Sequence, residues 1–266
     1  MQKVIVLTDI HIVPEGETII GIDPCARFMQ GMAHALDNHP DAERVVLCGD
    51  LTHNAAPQEY ARLRAALDTC PLPVSLMLGN HDRRAPFLAA FPEAERMETG
   101  HIQHHTDIGV YRLICLDTLN EETADTHSGR LCDARLDWLE DRLAEAGDRR
   151  VIVFTHHPPI ETGFKGMDWI GLKNRAELTA RLKRAGNVVQ IVSGHIHRSI
   201  QGAALGIPVC ILKSPCHQMP MALGFQDPNL SIDEPGAYGL LLLTDEGVVV
   251  HSEDFTLPPT GAQTYT

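Results

Sequence analysis

No apolar run in this sequence approaches the ~20 residues that a membrane-spanning helix needs, so no such span is expected. Any Cys-x-x-Cys pair is missing too. The seven cysteines (25, 48, 70, 115, 132, 210 and 216) are scattered and odd in number, and several sit inside apolar runs. Reduced, buried thiols are therefore expected rather than a disulfide framework. A basic stripe is also lacking: 22 Lys and Arg stand against 35 Asp and Glu, a net charge of −13. That balance disfavours a grip on a nucleic-acid polymer. A small anionic substrate stays open, because bound divalent cations would reverse the local field. No secretory signal precedes the first apolar run, since Met1-Gln2-Lys3 leads straight into it, and a cytoplasmic protein is expected. Internal repeats, low-complexity segments and linkers are absent, which predicts a single domain over residues 1–266.

What the chain does contain is a device used repeatedly. The run Val74 to Leu78 stops in Gly79-Asn80-His81-Asp82, as a buried strand does when it hands over to a polar loop. Val4 to Leu7 leads to Thr8-Asp9-Ile10-His11, and Arg44 to Cys48 to Gly49-Asp50. Val151 to Phe154 ends in Thr155-His156-His157, and Val188 to Val192 in Ser193-Gly194-His195-Ile196-His197. In an extended segment residues two apart share a face, so Asp9 with His11, and His195 with His197, can aim at one point.

Between these runs lie helical patterns. Asp23-Pro24 offers an N-cap and a first-position proline, with Phe28, Met32, Ala35 and Leu36 following at helical spacing up to His39-Pro40. Pro57 opens a helix with Tyr60, Leu63 and Leu67 on one face, and a short helix is expected over 84–90. Residues 100–118 read as a hairpin that begins a second sheet. Leu136, Leu139 and Leu143 mark a helix closed by Gly147, and Leu178, Leu182 and Ala185 one closed by Gly186. The runs 207–212, 238–243 and 248–251 are expected strands, 219–235 a polar loop and 257–266 a loose tail. Helices alternating with buried strands predict an α/β fold, and the extra strands after each half predict two sheets.

Strand-end ligands converge if their strands lie side by side along one edge, where ligands bind in open α/β sheets. A mixture of carboxylate, imidazole and amide donors suits Mn, Fe, Zn or Co better than Ca or Mg. Asp9, His11, Asp50, Asn80, His156, His195 and His197 are more than one ion needs. Two ions ~3.5–4 Å apart need a group between them, and a carboxylate has two oxygens for it, which makes Asp50 the natural bridge.

Asp9-x-His11, Gly49-Asp50, Gly79-Asn80-His81-Asp82, His156 and Gly194-His195-x-His197 together resemble the motif set of the calcineurin-like metallophosphoesterases. Within that superfamily the chain most resembles the class III cyclic-nucleotide phosphodiesterase and glycerophosphodiesterase branch. The resemblance implies a four-layer αββα sandwich of two facing mixed sheets flanked by helices. It also implies that Asp9, His11, Asp50 and His197 hold one metal, and Asp50, Asn80, His156 and His195 the other. His81 would then sit over the phosphate, and a metal-bridging hydroxide would attack phosphorus in line. His217, within Pro215 to Pro220, resembles a substrate-side histidine, and a homo-oligomer is implied, with 219–235 as cap or dimer contact.

Hydrolysis of a small phosphodiester, either a 3′,5′-cyclic nucleotide or a glycerophosphodiester, is the leading expectation. The alternative is a phosphomonoesterase or protein phosphatase on the same scaffold. Against it, Gly49-Asp50 continues as Leu51-Thr52-His53 where the protein phosphatases resemble one another in Gly-Asp-x-Val-Asp-Arg-Gly. The arginine matters because a dianionic monoester benefits from one more cation. Lesser expectations are that His53 and Asn54 reach the pocket mouth and that Asp82 orients loop groups. His157 is read either as a partner to the ligands or as a conformational residue, and His101, His104 and His105 as surface residues.

Overall fold

The computed structural model describes residues 1–224 and 227–257. Two mixed sheets lie face to face. The first runs β11 (Val248–Glu253), β10 (Tyr238–Leu243), β1 (Gln2–Leu7), β2 (Arg44–Cys48), β3 (Val74–Met77), with β1, β2 and β3 parallel. The second runs β4 (His104–Ile108), β5 (Tyr111–Leu116), β6 (Arg150–Thr155), β7 (Val188–Ser193), β9 (Ile207–Ile211), β8 (Ile200–Ala204). Its β5, β6, β7 and β9 are parallel, with β4 and β8 antiparallel at the edges.

Side-chain alternation along β1 explains the layering. Val4 and Val6 enter the core between the sheets with Met77, Phe154 and Val192, while Ile5 and Leu7 face the opposite way. That second side packs on α1 (Pro24–Asn38), α2 (Pro57–Leu67) and α3 (Arg84–Ala90) through Phe28, Met32, Tyr60, Leu63 and Phe87. Strands buried on both faces read as unbroken apolar runs, which is how they stand in the sequence. The second sheet packs outward on α4 (Asp133–Glu145), α5 (Lys165–Trp169) and α6 (Arg175–Ala185). Helix, sheet, sheet, helix is the expected four-layer order.

Caps behave as the sequence predicts. Asp23 Oδ1 accepts from the backbone N–H of Cys25 (2.9 Å) and Ala26 (3.3 Å), and α6 ends in the left-handed Gly186. Two elements lie outside the expectations: α5, only five residues long, and β8. The tail expected over 257–266 lies outside the described residues beyond Leu257. None of the described helices is long and apolar enough to cross a membrane. The five described buried cysteines (25, 48, 115, 210, 216) and the half-buried Cys70 and Cys132 are all free thiols.

Candidate metal centre

The sequence pattern places the ligands on one sheet edge, but the structure draws them from two. Asp9, Asp50 and Asn80 follow the parallel strands β1, β2 and β3, whereas His156 and His195 follow β6 and β7 of the facing sheet. Both groups of strands end on the same side, so the donors meet across the seam between the sheets. A ligand atom from each of Asp9, His11, Asp50 and His197 lies within 4.8 Å of the others. Nε2 of His11 faces Nε2 of His197 at 3.1 Å, and these lie 3.6 Å from Asp50 Oδ2 and 3.4 Å from Asp9 Oδ1 respectively. On the other side of Asp50, its Oδ2 is 3.3 Å from Nε2 of His156, which is 3.2 Å from Asn80 Oδ1. Asp50 thus touches both groups.

Backbone carbonyls aim the rings. His156 donates Nδ1–H to the Cys48 carbonyl (3.0 Å), and His197 donates Nδ1–H to that of His217 (2.9 Å). Each bond fixes the tautomer and turns Nε2 to the centre, as partners of metal-bound histidines do. His81 uses the same device, Nδ1–H to the His53 carbonyl at 2.8 Å, while its backbone N–H donates to Asp50 Oδ1 at 2.9 Å. Asp9 accepts from the backbone N–H of His195 at 3.0 Å and from the Thr8 hydroxyl at 2.8 Å.

Three local features fit this cluster to cations rather than to a purely structural network. Nε2 of His195 and both ring nitrogens of His217 are buried with no protein partner, a cost that a ligand would relieve. Asp9, His11, Asp50, His195 and His197 are among the eight described non-glycine residues at positive φ, with values from 47° to 72°. Left-handed backbone costs an L-residue ~1–2 kcal/mol, so its concentration here marks strain held for a purpose. Finally, a Cβ on Gly194 would run into the Thr8 hydroxyl, and one on Gly49 would lie 2.5 Å from Nδ1 of His156. Only glycine lets these loops approach.

Protonation follows from the packing. Burial works against a charged His156, yet the Asp50 and Asp9 carboxylates outweigh it and push the imidazole up to about 9. Burial likewise opposes ionised Asp50, but His156 and His81 beside it hold its carboxyl well below the usual range. In the metal-free protein the pair is therefore an ion pair at neutral pH. A raised histidine stabilises the fold fully below its unfolded value and loses that contribution as pH rises through about 9. A cation must displace this proton. Apparent Mn²⁺ affinity, measured by calorimetry between pH 7 and 9, is expected to rise roughly tenfold per pH unit as one proton is released. An affinity flat across that window would mean that His156 is not a ligand.

The lesser candidates divide. His53 lines the cleft, but Asn54 turns away and donates its side-chain amide to Glu59 (3.0 Å). His157 is buried with Nδ1 against the Thr118 hydroxyl (2.8 Å) and Nε2 against the His127 carbonyl (3.2 Å). Both nitrogens face the 118–127 loop, and burial drives the imidazole down to about 3. His104 corrects the surface expectation. It shares a strand face with the buried Ile108, is itself buried, and is driven down to about 4 by that burial. His101 and His105 are half-buried. His217 lies in the cleft, its ring centroid 4.6 Å from that of His197 and 5.4 Å from that of His11.

The centre forms the floor of a cleft of about 660 Å³ whose walls include His127, Met167, Trp169 and Ile170, none of them expected from the sequence. Of the 219–235 segment, the described residues Met219 and Pro228 to Ser231 line the cleft, and Gln218 pairs with Ile232.

A two-sheet sandwich with carboxylates and imidazoles gathered at its shared strand ends defines a metal-dependent hydrolase class. The model of the calcineurin-like phosphoesterase family matches residues 2–199, and the chain belongs to that family. It is 37% identical over 255 residues to a probable cyclic nucleotide phosphodiesterase of Rhodopseudomonas palustris, covering 96% of this chain and 93% of the relative. It is 32% identical over 190 residues to the glycerophosphodiester phosphodiesterase GpdQ of Enterobacter lignolyticus, covering 70% of this chain and 66% of that one. Among solved structures, a dimetal phosphatase from Danio rerio shares the fold, with a TM-score of 0.73 at 16% identity over 96% of each chain.

Proposed function

We propose that the protein hydrolyses small phosphodiesters, either 3′,5′-cyclic nucleotides or glycerophosphodiesters, with two metal ions of the Mn, Fe, Zn or Co type. The observation that carries this reading is Asp50 lying between two sets of donors: Asp9, His11 and His197 on one side, Asn80, His156 and His195 on the other. Two bound cations supply charge neutralisation at the phosphate and acidify a water for in-line attack. The chain supplies the rest. His81, held by the His53 carbonyl, presents Nε2 to the cleft, where it stabilises charge on the phosphoryl oxygens or gives a proton to the departing alkoxide. His217, unpartnered beside His11, would bind the phosphate or its ester group.

The diester preference draws support from charge. Among the described residues lining the cleft there is no Lys or Arg, so a dianionic monoester finds no extra cation, whereas a monoanionic diester needs none. The names of the cited bacterial relatives agree with this reading. After Mn²⁺ loading, bis(p-nitrophenyl) phosphate is expected to turn over faster than p-nitrophenyl phosphate. Faster monoester turnover would overturn the diesterase assignment in favour of a phosphomonoesterase.

A further inference from the structure

The cleft has two unlike halves. One part of its lining is the histidine and aspartate cluster, while another is apolar: Ile20, Met167, Trp169, Ile170, Met219 and Leu230. Three of these stand open to solvent: Trp169 is 72% exposed, Ile20 50% and Leu230 44%. Large apolar groups gathered at the entrance to a polar site mark a place where an apolar part of a ligand is held.

Ile20 adds an independent observation. Ile19 and Ile22 exchange backbone hydrogen bonds, each 2.9 Å, so that Ile20 and Gly21 are the central residues of a two-residue hairpin turn. Both are left-handed, at φ 46° and 83°. Such a turn selects Asn-Gly, because asparagine tolerates this region and a β-branched side chain there is an outlier. An isoleucine at this position works against its own turn. What it supplies is an exposed apolar tip at the cleft mouth.

We propose that Ile20 and Trp169 form a subsite for the planar heteroaromatic base of a nucleotide. This deepens, and rests on, the phosphodiesterase reading of the same site: 3′,5′-cyclic nucleotides become the preferred substrate class over glycerophosphodiesters. The indole offers a face on which any base can stack, and Ile20 offers a small apolar contact from a different part of the chain. Asn229 and Ser231, also on the lining, bring polar groups to the mouth for a base edge. A glycerol group, with no apolar face, would leave Ile20, Met167, Trp169 and Ile170 without a matching surface. The cleft's volume falls within the range of small-molecule sites, which bury most of their ligand.

The test uses the Mn²⁺-loaded enzyme, with 3′,5′-cyclic AMP and glycerophosphoethanolamine as substrates and bis(p-nitrophenyl) phosphate as the control for the hydrolytic centre. Trp169→Ala is expected to raise KM for cyclic AMP about tenfold, equivalent to about 1.4 kcal/mol, and to move KM for glycerophosphoethanolamine far less. Ile20→Asn is expected to raise the cyclic AMP KM severalfold while leaving the melting temperature equal or higher, a pairing that a purely structural role for Ile20 cannot give. With Trp138→Phe leaving Trp169 as the sole indole, cyclic AMP added to enzyme under non-turnover conditions (metal-free protein) should quench its fluorescence. Equal KM changes for the two substrates in both variants would overturn the subsite. So would wild-type turnover of bis(p-nitrophenyl) phosphate and glycerophosphoethanolamine without cyclic AMP. Failure with all three diesters would instead strike the phosphodiesterase reading itself.

Discussion

His81→Ala is expected to lower kcat on a phosphodiester by ~10²–10⁴-fold, the span typical of a lost acid or charge-stabilising group, with metal content unchanged. The geometry separates these two effects. The contact that His81 makes with a candidate ligand runs from its backbone N–H to Asp50 Oδ1, and alanine keeps it. What alanine removes is the ring, whose Nδ1–H is bound to the His53 carbonyl and which lines the cleft. A rival arrangement exists, because ring nitrogens of His11, His53 and His81 lie within 4.8 Å of one another and would make a cation site of their own. Metal analysis of the purified variant decides between them. Two ions per chain with turnover gone supports the role given to His81, and loss of an ion makes it a ligand.

Asp82→Ala is expected to cost ~4 kcal/mol of stability, read as a fall in melting temperature of roughly 10 °C for a chain of this size. Asp82 is fully buried and accepts from five donors. Its Oδ2 takes the backbone N–H groups of Leu51 and Gly79, both at 3.0 Å. Its Oδ1 takes the Thr52 N–H (3.1 Å), the Thr52 hydroxyl (3.0 Å) and the Tyr60 hydroxyl (3.1 Å). One carboxylate therefore ties the loop that carries Asp50 to the loop that carries Asn80. Alanine would strand three buried backbone N–H groups, each worth ~1–3 kcal/mol when left unpaired. Burial and the neighbouring Asp50 charge push Asp82 up to about 6, so part of what those donors contribute is spent on keeping it ionised. A loss under ~1 kcal/mol in thermal or urea unfolding would show that water replaces the carboxylate and that the network is not cooperative.

The parallel strands and their polar endings were legible in the sequence because strands buried on both faces leave unbroken apolar runs. Asp9 with His11, and His195 with His197, stood out for the same reason: spacing of two is visible without a structure. Other features had no such period. Helix α5 makes barely more than one turn, too short for an amphipathic stripe, and so Trp169 went unplaced. The bond between Tyr60 and Asp82 joins a helix to a loop 22 residues away and leaves no local mark. Which strand joins which sheet was equally hidden. Chain order does not reveal that β10 returns to pair antiparallel with β1, so ligands that looked like neighbours on one edge belong to two facing sheets.

Asp9 and the residue whose amide it receives, His195, stand 186 positions apart in the chain and on opposite sheets. Neither half by itself brings together the donor set of Asp9, His11, Asp50 and His197. That set closes only once β7, synthesised late in the chain, has brought His197 up to the endings of β1 and β2, so a polypeptide cut short before β7 lacks it.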